Sequence, residues 1–415
     1  MIRTIGLFLF LQISLVVFSH NTAHKNEIGR DYGQWRGMIH RADGNDVVFN
    51  FSLTNKNGKP LMIISNSTEK IIVKNIEFKK DSVFIRMPVF ESSFRAKVSR
   101  SGWEGIWVKG TSSKEQVIPF SASINNKRFE PVNGNARFNI SGRWTANFAS
   151  DKSVSEASIA EFVQKGNKVT GTFLTPTGDY RYQEGIVTGD KLMLSGFDGA
   201  HAFLFTATIS NDKNIVQGMF YSGAKSNEGF TATKNAKATV STEQVDMFLK
   251  PGEHKLDFKY PDLNGKMVSI NDSRFKNKVV VIQILGSWCP NCMDETAFLT
   301  DYYNKNKQRG VEVVGLAYEY STDFKRSVNS LSKFRDRFNV PYPLLITGVT
   351  VSDSLRTEKT LPQVTPIKVF PSSIFLDKKG NVRKFDTGFF GPGTGEHYEV
   401  YKKDFRNTID SLLKE

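Results

Sequence analysis

Cys289 and Cys292 are the only cysteines in the 415-residue chain, and two residues separate them. A thiolate at Cys289 could attack a disulfide, and Cys292 is near enough to resolve the mixed disulfide within the same site. A structural zinc site needs four ligands, and the six histidines form no ligand-spaced group near the pair, so neither a metal nor a cofactor is predicted. A structural disulfide across so short a loop would constrain the chain little. The pair therefore predicts a redox-active disulfide.

The surrounding sequence predicts a strand followed by a helix. Val279–Leu285 is a continuous apolar run, typical of a strand buried on both faces, and Gly286 ends it. Apolar residues then recur at helical spacing from Cys292 to Arg309, with Asp294 and Glu295 in the predicted first turn. The cysteines should thus lie at a helix N-terminus, where the helix dipole lowers the pKa of a thiol.

The segment Trp288–Cys292, a second apolar strand at Val311–Ala317 and the later Phe370–Asp377 together resemble the thioredoxin superfamily. More narrowly, they resemble the TlpA/ResA group of exported thiol–disulfide oxidoreductases, among the AhpC/TSA-like redoxins. The resemblance runs from about Pro251 to Glu415 and implies an α/β thioredoxin fold over residues 252–415.

This resemblance also implies roles for individual residues. Pro371 matches the cis-proline that faces the redox pair in the thioredoxin fold, so Phe370 and Pro371 should lie opposite Cys289 and bind substrate. The Phe370 backbone would then be free to pair with an extended substrate segment. Trp288 and Pro290, inside the motif, are the other predicted substrate-binding residues. An ordinary trans-proline that opens a strand is the alternative for Pro371.

The acidic residues near the motif differ from those of thioredoxin. Thioredoxin has a buried aspartate where this chain has Gln283, and a neutral amide cannot take a proton from the resolving thiol. ResA-like proteins have a glutamate at the position of Glu295, which predicts that Glu295 is a catalytic residue assisting deprotonation of Cys292. Alternatively, Glu295 only complements the helix dipole. Glu319 and Glu358 are further acids without positional support.

Residues 30–235 predict an all-β domain, because short strand-like runs alternate with turn residues and no helical pattern is present. A weak internal repeat divides the domain at about 30–130 and 139–235. Gly33–Gly37 in the first half resembles Gly142–Ala146 in the second. The two halves should form a barrel or a sandwich, loosely similar to lipocalin-like barrels.

No catalytic constellation is visible in this β domain. Its tryptophans could line a ligand cavity, but large aromatic residues in an all-β domain are more often core. These are Trp35, Trp103, Trp107 and Trp144. His40 and His201 are isolated and receive no role. Residues 236–251 read as a linker to the C-terminal domain.

The N-terminus predicts export. Residues 1–19 contain Arg3 followed by an apolar run that is long enough for a signal-peptide core and too short to span a bilayer comfortably. No cysteine follows to accept a lipid, so we expect a soluble periplasmic protein after cleavage; an uncleaved anchor is the alternative. The formal net charge is +14, but the cations are scattered among acids, which argues against nucleic-acid binding.

The leading hypothesis is a disulfide reductant that acts on exported proteins through the Cys289–Cys292 pair. Its partners would be protein disulfides or dithiols and a membrane-bound thiol donor. One alternative is a ligand- or protein-binding β-barrel with an accessory redox domain. A thiol peroxidase is less favoured, because Gly286 replaces the threonine that peroxiredoxins have before the reactive cysteine.

Overall fold

The computed structural model describes residues 31–112, 114–149 and 157–415. The predicted signal peptide, residues 1–19, lies outside these ranges. No helix in the described ranges has the length and apolar character needed to cross a membrane.

The first β unit is one antiparallel sheet of nine strands. Its strands are β1 (Gly33–Ile39), β2 (Val47–Lys56), β3 (Lys59–Asn66), β4 (Glu69–Val73), β5 (Asn75–Lys79), β6 (Ser82–Arg86), β7 (Ser92–Val98), β8 (Trp103–Lys109) and β9 (Gln116–Ile124). Sequential strands pair except β4 and β5, and β1 also pairs with β9. The sheet therefore curls back on itself, and its edges are the consecutive strands β4 and β5.

The second β unit has nine strands as well. They are β10 (Gly142–Ala149), β11 (Ala157–Lys165), β12 (Lys168–Thr175), β13 (Gly178–Asp179), β14 (Gln183–Thr188), β15 (Lys191–Phe197), β16 (Ala202–Asn211), β17 (Asn214–Ser222) and β18 (Ser226–Lys234). Here β10 pairs with both β11 and β18, and β12 pairs with both β11 and β14. These pairings close the second unit into a barrel.

The internal repeat is visible in the structure. The strands of the second unit follow those of the first one for one, with the same spacing along the chain. Trp35 and Trp144 occupy equivalent positions in β1 and β10, and each indole N–H donates to a carbonyl four residues earlier, Asp31 at 2.9 Å and Ile140 at 2.8 Å. The prediction of two similar halves is confirmed.

Aromatic side chains fill both β units. The four tryptophans are at most 1% exposed, so they are core residues as expected. Phe173 packs on Phe205 in the second unit at 4.4 Å between ring centroids. The two units also share core residues, because Phe197 of β15 stacks on Phe49 of β2 at 4.4 Å. This contact fixes the second unit against the first.

The C-terminal domain has the predicted thioredoxin fold. A hairpin of β19 (Lys259–Pro261) and β20 (Met267–Ser269) precedes a five-stranded sheet of order β23-β22-β21-β24-β25. Its strands are β21 (Val279–Leu285), β22 (Val311–Ala317), β23 (Leu344–Ile346), β24 (Ser372–Leu376) and β25 (Val382–Thr387). Its helices are α1 (Pro290–Asn306), α2 (Phe324–Phe338), α3 (Arg356–Thr360) and α4 (Glu396–Leu412).

Strand β21 lies in the middle of this sheet, parallel to β22 and antiparallel to β24. Its alternate residues pack into two different apolar clusters. Val279 and Val281 pack with α1, α2 and α4, whereas Val280 and Ile282 pack with the hairpin side of the sheet. Burial on both faces explains why the run is apolar throughout rather than alternating.

Residues 236–251 join the second β unit to this domain. Towards its end the segment contacts the C-terminal domain directly: Met247 is buried in its core, and the Phe248 amide donates to Thr365 Oγ1 at 2.9 Å. The Lys250 amide donates to the Gln363 carbonyl at 2.9 Å. These contacts attach the end of the segment to the domain that follows.

Candidate active site

Cys289 and Cys292 form a disulfide at the N-terminus of α1, with 5.2 Å between their Cα atoms. Cys289 is the N-cap residue, and its sulfur accepts from the Cys292 amide at 3.2 Å. Pro290 occupies the first helical position, where its missing N–H costs no hydrogen bond. A thiolate at Cys289 would therefore meet an amide N–H and the positive end of the helix dipole.

The turn between β21 and α1 is built from close contacts. A Cβ at Gly286 would lie 2.1 Å from the Trp288 indole nitrogen, so only glycine fits there. Glu319, just beyond the end of β22, accepts from the Ser287 amide at 2.8 Å and from the Ser287 hydroxyl at 2.6 Å. Burial raises the pKa of Glu319 to about 7. Glu319 thus fixes the turn that presents Cys289.

The peptide bond between Phe370 and Pro371 is cis, and it faces the redox pair. The Phe370 carbonyl oxygen lies 3.5 Å from the Cys289 sulfur. The Trp288 ring packs edge-on against Phe370 at 5.4 Å, and its N–H donates to the Tyr318 carbonyl at 2.8 Å. Trp288, Cys289 and Phe370 therefore lie together, as the sequence predicts.

Glu295 is 1% exposed and is held by three hydrogen bonds. One carboxylate oxygen accepts from Gln283 at 2.8 Å, and the other accepts from Ser373 at 2.9 Å and from Tyr401 at 3.1 Å. Burial raises the pKa of Glu295 to about 7, although these hydrogen bonds oppose the rise. The same Gln283 amide lies 3.4 Å from the Cys292 carbonyl oxygen.

The expectation that Asp294 and Glu295 occupy the first turn of the helix was wrong. Helix α1 begins at Pro290, two residues earlier than the apolar periodicity suggested, and its first turn contains no acidic residue. The proline and the Cys289 cap start the helix before the first periodic apolar residue. Glu295 consequently lies in the second turn, inside the protein.

The second β unit contributes residues that the sequence did not single out. A cavity of about 180 Å³ lies between this unit and the redox pair, and Trp288, Cys289, Pro290 and Phe370 line one side of it. The turn from β12 to β14 and the turn from β15 to β16 line the other side. The residues of the second unit on this side include Asp179, Tyr180, Arg181, Asp198, His201 and, at the start of β16, Phe203.

Arg181 and Asp179 attach this unit to the active-site helix. The Arg181 guanidinium donates to Asp294 of α1 at 2.8 and 2.9 Å. The Asp179 carbonyl accepts from Asn291 of the redox motif at 3.1 Å, and its carboxylate accepts from the Gly391 amide at 2.7 Å. Local sequence gives no signal for these contacts, since the partners are more than a hundred residues apart.

No cluster of three histidine, cysteine, aspartate or glutamate side chains in the described ranges is arranged to hold a metal ion. Glu358, the other acid considered from sequence, is an exposed residue of α3. The structure thus brings Trp288, Pro290 and Phe370 to the redox pair, and Pro371 lies in the adjoining cis peptide. Glu295 is linked to Cys292 through the side chain of Gln283.

Residues 251–385 match the AhpC/TSA family. The thiol-disulfide oxidoreductase ResA of Bacillus thuringiensis subsp. konkukian (strain 97-27) is 28% identical over 152 residues, which cover 37% of this chain and 76% of that protein. ResA of Bacillus thuringiensis (strain Al Hakam) is 27% identical over 177 residues, covering 42% and 86%.

Among solved structures, a putative thiol:disulfide interchange protein DsbE from Chlorobium tepidum is similar, with 20% identity and a TM-score of 0.31. The match covers 40% of this chain and 99% of that one.

The fold and the matched family define the C-terminal domain as a thioredoxin-like redoxin. More narrowly, it is a TlpA/ResA-like redoxin, and its activity is that of a thiol–disulfide oxidoreductase. The family and the enzyme class predicted from sequence are both confirmed.

Proposed function

We propose that Cys289 and Cys292 carry the thiol–disulfide exchange and that the protein works as a disulfide reductant. The observation that carries the proposal is the position of the pair, with Cys289 capping α1 and its sulfur 3.5 Å from the Phe370 carbonyl at the cis-proline turn. An extended substrate segment could pair with the Phe370 backbone beside the reacting sulfur. Trp288, Pro290 and Pro371 complete the proposed substrate-binding surface.

The exchange proceeds in two steps. In the reducing direction, the Cys289 thiolate attacks one sulfur of the substrate disulfide, forms a mixed disulfide and releases the first substrate thiolate. The Cys292 thiolate then attacks the Cys289 sulfur, so the Cys289–Cys292 disulfide forms and the second substrate thiolate leaves. The substrate gains two electrons and the protein loses two. A dithiol donor restores the reduced pair by the reverse sequence.

Glu295 is proposed to accept the proton of the Cys292 thiol, directly or through water. Its buried carboxyl has a pKa raised to about 7, so it can hold a proton or release it near neutral pH. Gln283 supports this role, because its amide lies within 3.4 Å of the Cys292 carbonyl and donates to Glu295.

The N-terminal residues bear on where the protein acts and on its partners. Residues 1–19 have the composition of a signal peptide, and no cysteine follows them to accept a lipid. We therefore propose a periplasmic protein whose substrates are disulfides of exported proteins, with electrons supplied by a membrane-bound thiol donor. An oxidising compartment is where such a reductant has substrates.

Single cysteine variants test the assignment. Cys289→Ala should lower the reduction of both bis(2-hydroxyethyl) disulfide and insulin to the uncatalysed rate, because no nucleophile remains at the cavity. Cys292→Ala should accumulate a mixed disulfide at Cys289 that mass spectrometry detects after a non-reducing quench, because the resolving thiol is lost. Wild-type activity in Cys289→Ala would refute the proposal.

A further inference from the structure

Cys289 is covered by the second β unit. The residue is 4% exposed, and most of the residues that line the cavity of about 180 Å³ in front of it belong to the second β unit. Phe203 and Tyr180 supply aromatic surface on that wall, opposite Trp288 and Phe370. A folded protein could not bring a disulfide to Cys289 past this wall, whereas a group of amino-acid size could enter.

The mouth of the cavity is marked by His201. Its side chain is 36% exposed, whereas the side chains of Asp198 and Arg181 are 9% and 8% exposed. The His201 imidazole lies 3.2 Å from Asp198, which fixes its position at the opening. His201 and the exposed Thr177 thus line the part of the cavity that meets solvent, and aromatic and charged side chains line the rest.

A buried ionic cluster holds the wall in place. Arg181 pairs with Asp294 of α1, with Glu69 of the first β unit at 2.7 Å and with Asp198 of its own unit at 3.7 Å. One side chain thus joins all three structural units. Removing it would leave three carboxylates close together without their shared cation, and breaking a buried ion pair from one side is strongly destabilising.

Steric fit adds to the charge contacts. Gly178 has φ +131°, and a Cβ built there would lie 2.4 Å from the side-chain nitrogen of Asn291 in the redox motif. The turn therefore lies against the start of α1 with no space for a side chain. Farther along the interface, Glu91 of the first β unit accepts from Arg326 and Ser330 of α2.

We propose that the second β unit is a size filter on the redox pair: the docked protein exchanges with low-molecular-weight disulfides through the cavity and excludes the disulfides of folded proteins. This inference rests on the proposed exchange at Cys289. It assigns low-molecular-weight disulfides as the substrate of the docked protein and restricts exchange with the disulfides of exported proteins to a state in which the second β unit has moved away. A small disulfide R–S–S–R takes two electrons from the reduced pair and leaves as two thiols, while Cys289 and Cys292 become the disulfide. Exchange with a folded protein requires the second β unit to leave its position.

The test compares two oxidants on the reduced full-length protein. The rates of pair oxidation by bis(2-hydroxyethyl) disulfide and by insulin are measured under identical conditions, and their ratio is taken for each variant. Arg181→Ala removes the ionic cluster, and Gly178→Val pushes the turn from α1 without a charge change. Arg309→Ala is the control, because its ion pair with Asp410 lies within the C-terminal domain and is half exposed.

Both interface variants should raise the rate with insulin relative to the small disulfide at least tenfold over wild type, and the control should leave that ratio unchanged. Circular dichroism selects the variants that are folded. An unchanged ratio in either folded interface variant overturns the size filter. By contrast, a wild-type protein oxidised by neither compound, or Cys289→Ala oxidised at the wild-type rate, overturns the proposed exchange itself.

Discussion

The side chains of Gln283 and Glu295 are joined by a buried hydrogen bond. The amide stands where thioredoxin has an acid, but it is not inert: it donates to Glu295 at 2.8 Å and accepts from Thr296 at 3.0 Å. A buried carboxyl with a pKa near 7 is costly unless it is hydrogen-bonded, and Gln283 supplies one of those bonds. The buried acid of this chain therefore lies on helix α1, next to the strand position at which thioredoxin has its aspartate.

Glu295→Gln should remove an inflection near pH 7 from the rate at which Cys292 resolves a mixed disulfide. The wild-type carboxyl is protonated below that pH and can accept the thiol proton only above it, so the wild-type rate should rise through pH 7. At pH 8 the variant should be slower by about tenfold or more. Stopped-flow kinetics between pH 5 and 9 measure this.

Asp301→Asn provides a matched control for that measurement, because Asp301 is an exposed acid of the same helix. Its profile should follow wild type. A Glu295→Gln profile identical to wild type would remove Glu295 from the mechanism and leave it as a structural residue.

Two adjacent elements meet at Glu319. Strand β22 ends beside β21, and the carboxylate that follows it satisfies both the amide and the hydroxyl of Ser287 in the next turn. The end of one strand therefore sets the path of the chain into α1. The Trp288 hydrogen bond to the Tyr318 carbonyl strengthens the same junction.

Glu319→Ala should slow exchange by about tenfold and lower the free energy of unfolding by about 1–3 kcal/mol, because two buried donors lose their acceptor. Glu319→Gln should recover part of the exchange rate and part of the free energy of unfolding, since its amide oxygen can still accept a hydrogen bond from Ser287. Glu358→Ala, at an exposed position of α3, should change neither quantity. Equal loss in the alanine and glutamine variants would show that the charge, rather than positioning, is what Glu319 supplies.

The sequence identifies the redox pair because its chemistry lies within four consecutive residues and between two elements of clear periodicity. Phe370 and Pro371 also follow, since the family resemblance places them. Asp179, Arg181 and His201 do not, because their importance arises only when a turn of the β barrel packs on α1. His201 is isolated in the sequence, yet it lines the same cavity as Cys289. Long-range contacts of this kind leave no local pattern.

At the scale of the whole molecule, three buried acids make stability depend on pH in the same direction. Burial raises the pKa values of Asp179, Glu295 and Glu319 to about 7. Their ordinary values are 3.8 for aspartate and 4.5 for glutamate, so the folded state binds more protons than the unfolded state between about pH 4 and 7. The contribution of these three acids to the free energy of unfolding should therefore fall as pH rises through that interval.

Asp179→Asn should make the free energy of unfolding decrease less steeply with pH, because one of the three groups that bind a proton in the folded state is lost. Each unit of pKa difference corresponds to about 1.4 kcal/mol, so we expect the difference in unfolding free energy between pH 5 and 8 to shrink by about 1 kcal/mol or more. Denaturant titrations at the two pH values measure it, with the partly exposed Asp190→Asn as the control. A slope as steep as wild type in Asp179→Asn would contradict the assignment.

The duplicated β units are not equivalent partners for the enzyme. At the spacing that aligns Trp35 with Trp144, Asp179 corresponds to Lys70 and Arg181 to Ile72. The first copy thus has a cation and an aliphatic residue where the second has its anchoring acid and guanidinium. A first copy in the place of the second would lack both the Arg181–Asp294 and the Asp179–Gly391 side-chain contacts, so after duplication only one copy carries the residues that attach to the start of the catalytic helix.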